Sequence, residues 1–377
     1  MADLDGDGDL DVVCPGRSGL FWLENLRLGA DPSIRPGPRT IPPVTYEDHS
    51  KLFVYKDPQG HKHPVQTPAD WAIRRSHILA NMQLAMGPLP DSSQRVPLDV
   101  QVLVEEETPQ YIRRKITFVA EPGDRVPAWL LIPKNLKKPA PAMLCLHPTY
   151  RLAKDEVAGR GGRPTRQYGH ELAARGYVCL VPDYPSFGEY SYDFRAHRDR
   201  YASGSMKAIW NNIRAVDVLE SLPEVNWDRI GCIGHSLGGH NALFTAVFDL
   251  RIKAVITSCG FTAFHHYYGG NLNGWTSDRY MPRIRDVYQS DPDKVPFDFY
   301  EVLAAIAPRA IFVNAPLHDG NFDVEGVRKV IDRVRLVYRL LGGNGRLRVV
   351  YPDCAHDFPD EVRQKAYEWL DRMLKQR

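Results

Sequence analysis

The run Gly234-His235-Ser236-Leu237-Gly238-Gly239 follows the apolar residues Ile230-Gly231-Cys232-Ile233 without a break and leads straight into the helix-forming stretch His240 to Phe248. A strand that becomes a helix over two or three residues forces a sharp, strained bend, which fits a sheet covered by helices. Glycines two residues to either side of Ser236 give the backbone room for that bend, and the bend lifts the serine hydroxyl above the sheet. The rest of the chain agrees. Strand-like runs at Val100 to Val104, Ile112 to Val119 and Val126 to Ile132 come first. Short apolar runs follow at Ala142 to Leu146, Val178 to Val181, Ile230 to Ile233, Ala254 to Ile256, Ala310 to Val313 and Leu347 to Val350. Between these short runs lie helical segments near residues 165–175, 205–221, 238–248 and 324–341, with a last one near 359–375. The alternation predicts an α/β fold with a mostly parallel central sheet flanked by helices.

Charge and hydropathy narrow the function classes. Lys and Arg number 48 against 46 Asp and Glu, a formal charge of +2, so no global basic field gathers nucleic acid. The longest apolar stretches, such as Ala142 to Leu146, are far below the ~18–20 residues of a membrane helix. A soluble chain with no nucleic-acid or membrane partner is expected, and nothing sets an oligomeric state. Six cysteines lack CxxC spacing and fall mostly in strand-like runs. They read as small buried hydrophobes, which leaves the redox compartment open.

The N-terminus carries a different signal. Asp3, Asp5, Asp7 and Asp11 alternate with glycines so that their carboxylates can converge on a hard cation such as calcium. An EF-hand would need a glutamate at its twelfth position, which counted from Asp3 is Cys14. With the strand-like Leu10 to Cys14 and Gly19 to Leu26, the pattern instead resembles the calcium loop of an FG-GAP or VCBS repeat. The alternative is a frayed acidic turn without metal. One copy cannot close a propeller, so the sequence reads as part of a longer exported protein, secreted or periplasmic, without a signal peptide of its own. The expected organisation is a partial repeat over 1–28, a proline- and glycine-rich linker over 29–45 and a helical extension over 46–96. That extension holds one helix of about 18 residues from Thr67-Pro68 to Gly87-Pro88, and the main domain covers 97–377.

The serine turn, together with Leu146-His147-Pro148-Thr149, Gly176 to Tyr184 and Phe187-Gly188-Glu189, resembles the α/β-hydrolase superfamily over about residues 97–377. Segment order and the helix at 68–86 are most similar to its acetyl xylan esterase and dienelactone hydrolase branch. That resemblance implies serine esterase chemistry on acyl or alkyl esters, often of carbohydrates. In this fold the nucleophile, acid and histidine follow in that order. After Ser236 come His240, His265, His266, His318 and His356, and only His356 follows a strand after every candidate acid. Leu250 to Ser277 contains no Asp or Glu, so the acid must follow the strand Ala310 to Val313, where Asp319 and Asp323 stand. Asp319 is the expected acid, because Asp323 is accounted for as the N-cap of a helix starting at Val324.

The remaining roles follow from backbone chemistry and position. Leu237, at the helix start, offers a free N–H to an oxyanion. Pro148 has no N–H, so the second donor is Thr149 or Tyr150. His147 reads as a residue that orients this loop. An insertion over about 261–297 is rich in aromatic rings. Trp275, Tyr267 and Tyr268, with His147 and His235, are candidates for substrate contact, against the alternative that the rings simply pack a small cap. His265-His266 lacks further ligands at metal spacing. The expectation is a serine carboxylic-ester hydrolase on a small-molecule or carbohydrate ester, with no cofactor in catalysis. A serine peptidase of the same superfamily would need a gating domain. A non-catalytic binding module leaves the intact Ser, His and acid positions unexplained, and a dehalogenase would need Asp at position 236.

Overall fold

The computed structural model describes residues 43–375 in full, together with the backbone of strands β1 (Val12–Gly16) and β2 (Gly19–Leu23). These two pair antiparallel, Val12 opposite Leu23 and Gly16 opposite Gly19. Asp3, Asp5, Asp7 and Asp11, the expected calcium ligands, lie outside the described residues. A second small hairpin, β3 (Val54–Lys56) with β4 (Lys62–Pro64), precedes helix α1 (Pro68–Met86). Thr67 caps α1 by accepting from Asp70 N while the Asp70 carboxylate accepts from Thr67 N, and Pro68 fills the first helical position.

The body is a nine-stranded sheet. Its strands are β5 (Gln101–Glu107), β6 (Tyr111–Glu121), β7 (Asp124–Pro133), β8 (Ala140–Leu146), β9 (Val178–Pro182), β10 (Val225–His235), β11 (Ile252–Ser258), β12 (Ala310–Asn314) and β13 (Leu347–Val350). They lie in the order β13-β12-β11-β10-β8-β9-β7-β6-β5. From β9 to β13 every pairing is parallel, whereas β5, β6 and β7 form an antiparallel meander joined to β9. The central position of β10 puts the serine turn at the middle of the sheet's carboxyl edge, where open α/β sheets present their ligand crevices.

Alternate strand residues feed two cores, as a sheet covered on both faces requires. Val255, Ile311 and Val313 face the layer built by α1, α4 (Gly204–Ser221), α5 (Leu237–Phe248), α7 (Phe299–Ile306) and α8 (Val324–Leu340). Ala254, Ile256 and Phe312 face the layer of α3 (Tyr168–Ala174) and α9 (Asp360–Leu374). Two four-residue helices, α2 (Lys154–Val157) and α6 (Arg283–Asp286), complete the set. Among the described residues no helix is long and apolar enough to cross a membrane.

The sequence reading did not find α7. Its residues Phe299 to Ile306 are buried except the half-buried Tyr300, so it has no polar face to give it a 3.6-residue period. It is anchored from α1: buried Arg74 forms an ion pair with Glu301 and lies 3.6 Å over the Tyr46 ring, and His49 Nδ1 sits 2.8 Å from Glu301 Oε2. Arg75 adds hydrogen bonds of 2.8 Å to the carbonyls of Ala305 and Val247.

Candidate active site

Ser236 occupies the turn between β10 and α5 with φ 56° and ψ −117°, a conformation that L-residues adopt only under constraint. The constraint is contact on every side. A side chain at Gly234 would collide with the backbone of Gly238, one at Gly238 with the Leu146 carbonyl, and one at Gly239 would lie 2.9 Å from Gly260 Cα. Ser236 N donates to Ser258 O at 2.8 Å, tying the turn to the end of β11. The N–H groups of Gly239 and His240 turn back onto Ser236 O at 2.9 and 3.2 Å. Leu237 N–H, earlier in the same first turn, is left without an intrahelical acceptor.

His356 lies in the loop between β13 and α9, and its Nδ1 is 2.9 Å from both oxygens of Asp319. The Asp319 side chain is 1% exposed and also accepts from the N–H groups of Asn321 and Phe322 at 2.8 and 3.1 Å. Burial pushes its carboxyl up, but the hydrogen bond and charge of His356, joined by those two N–H groups, outweigh it and hold the pKa below the ordinary carboxylate value. Asp323 does what helix capping requires, accepting from Glu325 N at 2.8 Å at the start of α8 and facing His266 at 3.1 Å. The structure therefore brings Asp319, and not Asp323, to His356.

Beneath His356 a polar network fixes the floor. The His235 ring packs at 4.9 Å from it and bonds Ser258 Oγ at 2.9 Å. Asn314 Nδ2 then donates to Ser258 Oγ at 2.8 Å and to Asp357 O at 2.9 Å. His235 is fully buried, and burial drives its pKa well down, so it is a neutral support. The Cys259 sulfur, an Asp319 carboxylate oxygen and a His356 ring nitrogen lie close enough together to hold a metal. Burial, then the nearby Asp319 charge, pushes the Cys259 thiol well up, so it stays protonated, and the carboxylate is already committed to His356.

The loop after β8 is held from the opposite side. His147 is 2% exposed, and its ring uses both nitrogens within the protein: Nδ1 lies 2.8 Å from Pro148 O, and Nε2 accepts from Tyr184 N at 2.8 Å. It orients the loop and has no ring nitrogen left for a substrate, which corrects its place among the contact candidates. Buried Lys154 braces the Tyr184 segment through Asp183 at 2.6 Å and Glu189 at 2.7 Å, a support that no spacing in the sequence announced. Thr149 is exposed, with Oγ1 3.3 Å from Tyr280 Oη, and Tyr150 lies beneath the Arg166 guanidinium at 6.0 Å. The cap divides: Trp275 is buried against Phe264 and Phe299, and Tyr267 packs on Trp275 at 5.5 Å. Tyr268 is 55% exposed and donates to Asn321 Oδ1 at 2.5 Å. Phe322, which the sequence did not single out, stacks on the His356 ring at 6.0 Å.

Known proteins share this architecture. YtaP of Bacillus subtilis (strain 168), named as a hydrolase, is 28% identical over 300 residues, covering 77% of this chain and 96% of its own length. Carbohydrate esterase MZ0003, from an unknown prokaryotic organism, is 24% identical over 220 residues, 51% of this chain and 49% of its own. A solved glucuronoyl esterase from Solibacter usitatus matches with a TM-score of 0.68 at 19% identity, over 88% of this chain and 98% of that one. Acetyl Xylan Esterase 1 from Thermoanaerobacterium sp. JW/SL YS485 matches at 0.52 and 14%, over 74% and 89%. Residues 192–342 match the model described as glucuronyl esterase, fungi. Residues 51–257, more than half of the chain and inclusive of the serine turn, match the model of the Abhydrolase family, to which this chain belongs.

Proposed function

We propose that this carboxylic-ester hydrolase works through an acyl-enzyme formed on Ser236. Ser236 Oγ attacks the ester carbonyl as His356 takes its proton, and the same imidazole returns that proton to the departing alcohol. Asp319 orients the ring and balances the charge it gains. The Leu237 N–H, with that of Thr149 or Tyr150, holds the oxyanion. Water then attacks the acyl carbonyl, again with His356 as base, and releases the acid. No step uses a metal or cofactor, and calcium on Asp3, Asp5, Asp7 and Asp11 has no part in the scheme. The observation that carries this reading is the two-oxygen grip of Asp319 on His356 Nδ1, taken together with a serine held at positive φ.

The ester is one of a carbohydrate. The glucuronyl esterase model spans Ser236 and Asp319, and MZ0003 is named a carbohydrate esterase. Flat aromatic rings over the site suit sugar faces. The test is Ser236→Ala: turnover of an activated ester falls by several orders of magnitude with the fold intact by circular dichroism. Unchanged hydrolysis would overturn the assignment. A panel of acetylated sugars, uronate methyl esters and small aryl esters then ranks the substrate class.

A further inference from the structure

Asp319 and His356 stand on separate loops, one after β12 and one after β13, and those loops must be held in register for the two side chains to meet. A backbone ladder does part of this. Ala315 N donates to Val350 O at 3.0 Å, Leu317 N to Pro352 O at 2.9 Å and His318 N to Cys354 O at 3.1 Å. The ladder reaches Cys354, two residues short of His356. On the far side of the histidine, side chains hold Asp357. Its carbonyl oxygen accepts from Asn314 Nδ2 at 2.9 Å and from the Cys259 thiol at 3.4 Å, and its carboxylate accepts from Thr165 Oγ1 at 2.8 Å.

Asn314 is out of character for its place. It ends β12 after the apolar residues Ala310 to Val313, and it is 1% exposed. Its amide directs Nδ2 to Asp357 O and to Ser258 Oγ, the latter at 2.8 Å, while Oδ1 is buried without a partner. Turning the amide over would not cure this, because it would set the amide oxygen against the Asp357 carbonyl, which has no hydrogen to give. A buried acceptor left unpaired is a loss for stability. Stability alone therefore does not account for an asparagine here, whereas the two bonds from Nδ2 do. One holds the residue next to His356. The other holds the serine hydroxyl that bonds His235, the ring packed 4.9 Å from His356.

We infer that Asn314 is a positioning residue for acyl transfer: from the end of the strand that leads to the acid it pins the backbone beside the base, so that the imidazole stays on Asp319. This rests on the reading above for the part that His356 plays. Asn314 touches neither substrate nor reacting atoms. It acts through five residues of chain to Asp319 on one side and through Asp357 to His356 on the other, so one side chain sets the separation of acid and base. Without the amide, Asp357 O keeps the longer and weaker thiol contact. The His356 ring is then free to drift from the 2.9 Å that it holds to Asp319. A misplacement of about 1 Å costs on the order of 10²-fold in rate.

The test is Asn314→Leu, which fills a similar space without a donor. Asn314→Ser, too short to reach Asp357 O, serves if the leucine variant fails to fold by circular dichroism. Steady-state hydrolysis of an activated ester is expected to show kcat lowered by ~10–10²-fold. KM stays within about threefold of the parent value, because binding of the ground state is untouched. A second readout needs no turnover. Proton NMR of the substrate-free parent is expected to show a far-downfield resonance from the His356 Nδ1 proton bonded to Asp319, identified by its loss in His356→Ala. In the Asn314 variants that resonance is broadened or lost while the rest of the spectrum is retained. A kcat within about threefold of the parent, a loss carried by KM alone, or a downfield resonance absent from the parent or unchanged in a folded Asn314 variant would overturn the inference. Failure of both variants to fold would make Asn314 a structural residue and overturn it too. A parent protein that shows the resonance but hydrolyses no ester counts against the proposed reaction alone.

Discussion

At the scale of single residues, Asp319 keeps its charge against burial because three donors converge on it, and each is visible in what its loss does. Asp319→Asn leaves the shape but replaces an acceptor-only group with an amide that can hold the His356 ring in the wrong tautomer. Turnover is expected to fall by about 10²–10⁴, while Asp323→Asn, an equally good helix cap, changes it less than about threefold. Steady-state kinetics of the two variants at matched stability decides between the two acids. The depressed Asp319 pKa also contributes stability that is present above the unfolded carboxylate value of ~3.9 and is lost as pH falls through the lower folded value. The candidates Ser236, Asp319 and His356 could be picked out from the sequence because chain order and an acid-free stretch from Leu250 to Ser277 left few choices. His240 was legible only as a histidine in the wrong place for a base. Its ring contacts with Trp275 and Tyr280 join it to a segment with no periodicity to place it, so its surroundings needed the packed structure.

Among elements, α7 shows what sequence periodicity misses and burial enforces. Asp298 caps it by accepting from Phe299 N at 2.5 Å, and the same carboxylate accepts from Phe264 N at 3.1 Å, so one buried side chain joins the helix to the start of the cap. Burial pushes its pKa up to about 7, against the opposing pull of the Phe264 and Phe299 N–H groups and nearby His49. A carboxyl whose folded pKa lies above its unfolded value holds extra protons in the folded state. Stability therefore falls as pH rises from ~4, the unfolded value, to about 7. Asp298→Asn still accepts from both N–H groups but cannot ionise. Its stability relative to the parent protein is expected to rise across that window, measured by urea unfolding at pH 4.5 and 7.5, and a difference that stays flat would show that Asp298 does not titrate there. Arg74→Met removes the guanidinium from buried Glu301 in the first turn of the same helix and is expected to cost about 3–5 kcal/mol by the same method.

For the whole molecule, the strands from β8 to β13 and all the larger helices except α7 stand where their apolar runs placed them, because each of these strands carries a short apolar run that stands out from its neighbours. The hairpin of β3 and β4, whose strands are only three residues long, gave no alternating run to read, and the division of the cap between buried and exposed rings depends on contacts far apart in the chain. That distinction bears on chelation. The groups proposed to carry acyl transfer all stand at the carboxyl edge of the sheet, and their work on charge is done by N–H donors and an imidazole, which need no Lewis acid. Cys259, Asp319 and His356 come within 4.8 Å of one another, yet the thiol there is held protonated and Asp319 is spoken for by His356. A cation forced into that group would have to displace a thiol proton and sever the Asp319–His356 bond, so zinc is expected to inhibit rather than activate. Ester turnover should be unchanged after dialysis against EDTA and should fall on adding zinc, with Cys259→Ala weakening that inhibition. Loss of turnover in EDTA that calcium or zinc restores would mean that a metal, and not the backbone, stabilises the oxyanion.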